Sequence, residues 1–152
     1  DFDGAIMFAQ RAVALAPEFD AARLLLGDCF LHAGFHKTAI AQLEEACRLV
    51  DEHPVALAHL GYAYARSGRE VEARRLLSIL QEGHHRTDGP HSAAMTLIHT
   101  GLEDVEQAFQ CLDCALTSRS QMQELLLLTS PAYDGLRAHP GFNSISNRLN
   151  AS

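Results

Sequence analysis

Small residues recur in this sequence at a fixed step, and that step limits the fold more than any other feature. Gly34, Gly68 and Gly101 follow one another at 34 and 33 residues, and Gly27, Gly61 and Ala94 keep the same spacings. Ala5, Ala39, Ala73 and Ala108 recur at 34, 34 and 35, and Ala12, Ala46, Leu80 and Ala115 keep the same steps. A period of this length belongs to architectures in which one supersecondary unit is stacked on the next, because a single unit cannot bury its own apolar face. Within each period apolar residues recur three and four apart, as in LLLGDCFLHAG and TAIAQLEEACRLV, the spacing of amphipathic helices. The unit is therefore a pair of helices, and the fold class is all-α.

The small residues divide by position. Gly34, Gly68 and Gly101 are expected just beyond the first helix of each pair, where a left-handed residue ends the helix and lets the chain reverse. Gly27 and Gly61 fall in mid-helix, where glycine costs about 1 kcal/mol relative to alanine. A recurring mid-helix glycine implies a neighbour too close for a side chain, and the alanine columns serve that contact from the second helix.

These columns resemble the tetratricopeptide repeat, whose pattern is W-x2-L-G-x2-Y, then A-x3-F, then P. Leu57 stands in the Trp slot, followed by Leu60-Gly61 and Tyr64, then Ala73 with Leu77; the preceding unit has Leu26-Gly27 and Phe30, then Ala39 with Leu43. The resemblance implies a TPR-like α-α superhelix, a right-handed solenoid of antiparallel helix pairs. Residues 1–17 form only a second helix, with Ala5, Ala9, Ala12 and Pro17, as expected of a sequence beginning inside a longer array in a larger protein. Repeats are expected over 20–51 and 54–85. A degenerate one is expected over 88–117, where the step from Gly101 to Ala108 is two residues longer than its counterparts.

The tail, 120–152, is different in kind. Ser130-Pro131 and His139-Pro140 each suit a helix start, and the last apolar face of an array needs a cap. Tyr133, Leu136, Phe142, Ile145 and Leu149 are the expected cover. With GYAYARSGREVEARRLL, GLEDVEQAFQCLDCAL and PAYDGLRAHPGF, residues 54–149 resemble the C-terminal repeat regions of multidomain bacterial regulators. In those proteins the repeats follow a winged-helix, nucleotide cyclase or serine/threonine kinase domain.

At 152 residues the chain suits one domain with a hydrophobic core of its own. Its net charge of -7 lacks the basic footprint of nucleic-acid binding. The longest aliphatic run, Leu125 to Leu128, is too short to span a bilayer, and the first residues show no basic-then-apolar pattern, so neither an anchor nor a signal sequence is expected in this sequence. Four cysteines without a small secreted composition read as reduced core residues, and the expected location is cytoplasmic.

Two clusters suggest chemistry. In QEGHHRTDGPH, residues 81–91, His84, His85, Asp88 and His91 invite a metal reading, but adjacent histidines on a helix point about 100 degrees apart. The simpler reading is a joint, with Gly83 closing one helix and Gly89-Pro90 opening the next. Cys111-x-x-Cys114 lies mid-helix, away from the helix N-terminus that lowers thiol pKa in redox pairs. Cys29 and Cys47 likewise read as packing residues. There is no nucleophile elbow, phosphate-cradling glycine loop or paired-histidine zinc motif, so neither an enzyme nor a cofactor is expected here. Glu70 with Arg74, and Glu72 with Arg75, read as surface pairs.

Function is expected instead in a groove lined by successive first helices. Aligning the units gives three columns: Asp28, Tyr62 and Met95; His32, Arg66 and His99; Leu25, His59 and Ser92. His91 falls nearby, at the start of a first helix. The expected contact set is Asp28, His32, His59, Tyr62, Arg66, His91, Met95 and His99, taking a protein, a peptide or another domain of the same chain. Repeats that clamp carboxylates present asparagine and lysine or arginine here; Asp28 and Tyr62 occupy the asparagine slots, against membership of that subclass. The resemblance implies a non-catalytic scaffold in a signalling or transcription-regulatory protein. Alternatives are a regulatory region attached to a kinase or cyclase, and a metal or redox sensor.

Overall fold

The computed structural model describes residues 2–51, 53–82, 89–117 and 131–150, which contain helices and no strand. Seven helices of similar length come first: α1 Phe2–Leu15, α2 Asp20–His32, α3 His36–Leu49, α4 Pro54–Arg66, α5 Glu70–Glu82, α6 Gly89–Gly101 and α7 Val105–Thr117. A 3-10 turn, Pro131–Tyr133, leads into a short α8, Asp134–Arg137, and then α9, Phe142–Asn150. The pairs α2–α3, α4–α5 and α6–α7 pack as hairpins, and each second helix also touches the next first helix, α1 on α2, α3 on α4 and α5 on α6. No described helix is long and apolar enough to cross a membrane.

Each hairpin turn closes by the same hydrogen bonds. The amides of Phe35, Arg69 and Asp104 donate to the carbonyls five residues back, Phe30, Tyr64 and His99, at 2.8, 2.9 and 3.0 Å. This closure requires a left-handed residue just before the donor. Gly34 at φ 85° and Gly68 at φ 75° supply it, but the third is Glu103 at φ 61°. Gly101 is thus not the reversing residue expected of it; it is the last residue of α6, and the helix runs on past the expected stop. The two extra residues before Ala108 are absorbed in this way, since Ala39, Ala73 and Ala108 each stand five after the left-handed residue.

Both mid-helix glycines have a helix too close for a side chain, as expected, but only Gly27 meets the second helix of its own pair. A Cβ on Gly27 would lie 2.5 Å from Cγ of Leu43, in the partner helix of its own hairpin. On Gly61 it would lie 2.5 Å from Cδ1 of Ile98, in the next first helix. Gly101 faces back across the same seam, where an added Cβ would be 2.9 Å from Tyr62 Cδ2 and 3.0 Å from Ala65 Cβ. Helices α4 and α6 consequently pack intimately along their length, whereas α2 and α4 touch sparsely.

One core cluster runs from Leu31 and Leu43 through Leu57, Tyr64 and Leu80 to Ile98, Tyr133 and Leu136. Tyr64 ties α4 to α3, donating to Glu44 Oε1 at 2.7 Å, with the Arg69 guanidinium 4.5 Å above its ring. Burial and the Glu44 carboxylate push the phenol well above its usual range. In the tail, Tyr133 and Leu136 join the main core, and Ile145 packs on Leu112 with Phe109 and Phe142 around them. The Leu149 side chain lies outside the described residues. So do 83–88 and 118–130, and with them the expected unit ends at 85, 88 and 120. Glu70 pairs with Arg74 as expected, while Glu72 takes Arg69.

Candidate functional site

Between the first two complete hairpins lies an open pocket of about 320 Å³, lined by Leu31, His32, Gly34, His36, Tyr62 and Arg66. Its position follows from the sparse α2–α4 contact: the end of α2, its glycine turn and the start of α3 stand off from the last turns of α4. Leu31 is buried, Tyr62 and His36 are half-buried, and His32 and Arg66 are exposed.

The polar atoms around it are held by three separate groups of hydrogen bonds. His32 Nδ1 is 2.8 Å from the carbonyl of Asp28, which can only accept, so Nδ1 carries the proton. Ser67 Oγ donates to the Ala63 carbonyl at 2.6 Å and therefore accepts from His36 Nδ1, 3.0 Å away. His59 Nδ1 meets Asp28 Oδ1 at 2.9 Å, bridging α4 to α2. Burial pulls the His59 imidazole down, but the hydrogen bond and charge of Asp28 together leave it raised above the ordinary histidine value. Arg66 Nη1 donates to Glu103 Oε1 at 3.2 Å, joining α4 to the left-handed turn after α6. Tyr62 is raised by burial, which Arg66 opposes and Asp28 and Asp134 reinforce.

The expected contact residues separate cleanly. His32, Tyr62 and Arg66 share the pocket, with the Asp28–His59 bridge beside it. His91 is half-buried in the first turn of α6. Met95 and His99 are buried at 8% and 7% exposure, and Ser92 at 3%, so the third member of each column belongs to the core and offers no exposed contact. The cause is a shift of register in α6, whose His99 stands where Phe30 and Tyr64 stand in the earlier pairs, together with the Pro131–Tyr133 turn packed against α6. His36 was missed because only first-helix columns were aligned, yet the His32-x3-His36 spacing across the glycine turn was readable.

The remaining clusters offer less. His84, His85 and Asp88 lie outside the described residues, and among the described residues no group of three or more His, Cys, Asp or Glu side chains is placed to hold a metal ion. Burial, reinforced by Cys114 and Asp104, pushes the Cys111 thiol up to about 11, the opposite of an activated thiol. Cys29 is raised by burial as well.

No protein-family model matches the chain, and no curated protein or solved structure matches it.

Proposed function

We propose that this chain is a tetratricopeptide-type superhelical scaffold that docks a segment of another protein, or of another domain of its own parent, and catalyses nothing itself. The observation that carries this reading is the pocket between the first two complete pairs. It combines an exposed arginine, a half-buried tyrosine and two histidines over an apolar wall, the residue types that carry binding energy at interfaces. The recurring turn closures and glycine contacts support the repeat assignment, and the resemblance over residues 54–149 supports a place in a bacterial regulatory protein.

Replacing Tyr62 and Arg66 together by alanine in the intact parent protein should weaken capture of its partner domain about tenfold or more, as for a pair of interface anchors. Helix content should stay near that of the unmodified protein, and Tm should fall only by the loss of the half-buried Tyr62 ring from the α4–α6 seam. Loss of fold and capture together would place both side chains in the scaffold rather than the contact surface.

A further inference from the structure

We propose that α1 and α2 together seat a further amphipathic helix of the parent protein, lying antiparallel to α1 as the first helix of its pair; this rests on the repeat scaffold proposed above and not on docking at the pocket. Ala5, Phe8, Ala12 and Leu15 follow one another three and four residues apart, so they share one face of α1. Phe8 is 70% and Leu15 80% exposed, Ala5 is exposed and Ala12 half-buried. Six of the eight exposed large hydrophobic side chains among the described residues lie between Met7 and Phe35, so the uncovered apolar surface is gathered at this end of the stack.

The later pairs show what covers these positions. Ala39, Ala73 and Ala108, the counterparts of Ala5, are fully buried, and so are Ala46, Leu80 and Ala115, the counterparts of Ala12. In each of those pairs the first helix packs on the second, α2 on α3, α4 on α5 and α6 on α7. Gln42, the counterpart of Phe8 in α3, accepts a hydrogen bond from Arg23 of α2 at 3.2 Å, and Leu76, its counterpart in α5, is buried. The covering helix also reaches the next first helix. Leu25, His59 and Ala94 each stand nine before the left-handed residue of their turn. His59 meets α2 through Asp28 and Ala94 is buried, but Leu25 stays exposed. The α1 stripe and Leu25 are thus the two surfaces that one first helix covers at once. The small side chains of Ala5 and Ala12 admit that helix closely, and Phe8, Leu15 and Leu25 call for an apolar stripe along it.

The test compares thiol labelling of single cysteine substitutions in the 152-residue chain and in the intact parent, read by mass spectrometry on the peptide that carries α1, which has no cysteine of its own. Phe8→Cys and Leu15→Cys lie on the open face; Gln10→Cys and Ala14→Cys are exposed but lie off it. All four should label quickly in the chain alone, with unchanged helix content. In the parent the first two should slow by about tenfold or more, as for sites reached only by local opening, while the second two stay fast and no rate depends on protein concentration. Equal labelling of positions 8 and 15 in chain and parent would overturn the inference. Slowing that grows with protein concentration would give the face to a second copy, and slowing at positions 10 and 14 as well would give it to a broad domain surface; either outcome overturns the helix. Unprotected positions 8 and 15 with partner capture lost in the Tyr62/Arg66 variant would leave docking standing and this inference fallen. Protection with capture unaffected by that variant would do the reverse.

Discussion

At the residue scale, the glycines show what a missing side chain is worth. Ile98 and Leu43, which occupy the space beside Gly61 and Gly27, are themselves fully buried at 0% exposure and have nowhere to retreat. Gly61→Leu should therefore cost about 1 to 3 kcal/mol by overpacking, read as a lower urea midpoint at constant slope; a neutral result would mean that the α4–α6 seam is looser than described. His99 carries a second residue-scale consequence. Its Nδ1 is buried without a hydrogen bond, 3.8 Å from Asp104 Oδ2. Burial depresses its pKa, with Asp104 opposing and Arg74 adding to the depression. The unfolded chain therefore binds a proton that the folded one resists, so stability is present at neutral pH and lost as pH falls below about 6.5. His59 is raised and has the opposite sign, adding stability below the ordinary histidine range and losing it as pH rises through its folded value. Comparing urea unfolding at neutral and mildly acid pH, His99→Phe should narrow the difference and Asp28→Asn should widen it. Parallel shifts in both variants would rule these two histidines out as its source.

At the scale of elements, much was legible in advance. The period located the helix pairs because tight turns and close contacts select for glycine, and Gly34 and Gly68 sit in the left-handed turns expected of them. The third turn was illegible because a glutamate fills the left-handed position, and glutamate there leaves no mark in sequence. That one substitution carries the register error in α6, and with it the assignment of Met95 and His99 to the groove. Similarly, a mid-helix glycine announces a close approach without naming the helix that approaches, so Gly61 could not reveal Ile98. Glu103→Gly should raise stability by about 1 kcal/mol through relief of the left-handed backbone. It also removes the partner of Arg66, so a thermal melt and a partner-capture assay on one variant separate the two roles. A lower Tm would show that the ion pair matters more to the fold than the backbone conformation does.

At the scale of the whole molecule, the tail is structural. Tyr133 and Leu136, at 2% and 1% exposure, complete the core that the last pair leaves open. Leu136→Ala should cost about 2 to 5 kcal/mol as a cavity in that core, measured by urea unfolding; a cost near zero would make the tail an appendage. The expectation of a cap rested on array logic, and Tyr133 and Leu136 pack as such a cover would, whereas the burial of Met95 and His99 was illegible, because nothing in the tail's composition says which face it covers.

The uneven seams between first helices give the chain unequal compliance. From α4 onward the first helices are joined by close glycine contacts and by the tail, while α2 meets α4 lightly, and its hairpin is held to α4 by α3, by the Tyr64–Glu44 hydrogen bond and by the Asp28–His59 bridge. A guest at the pocket therefore presses on the α2–α4 seam, where the fewest side chains resist it, and not on the α4–α6 seam.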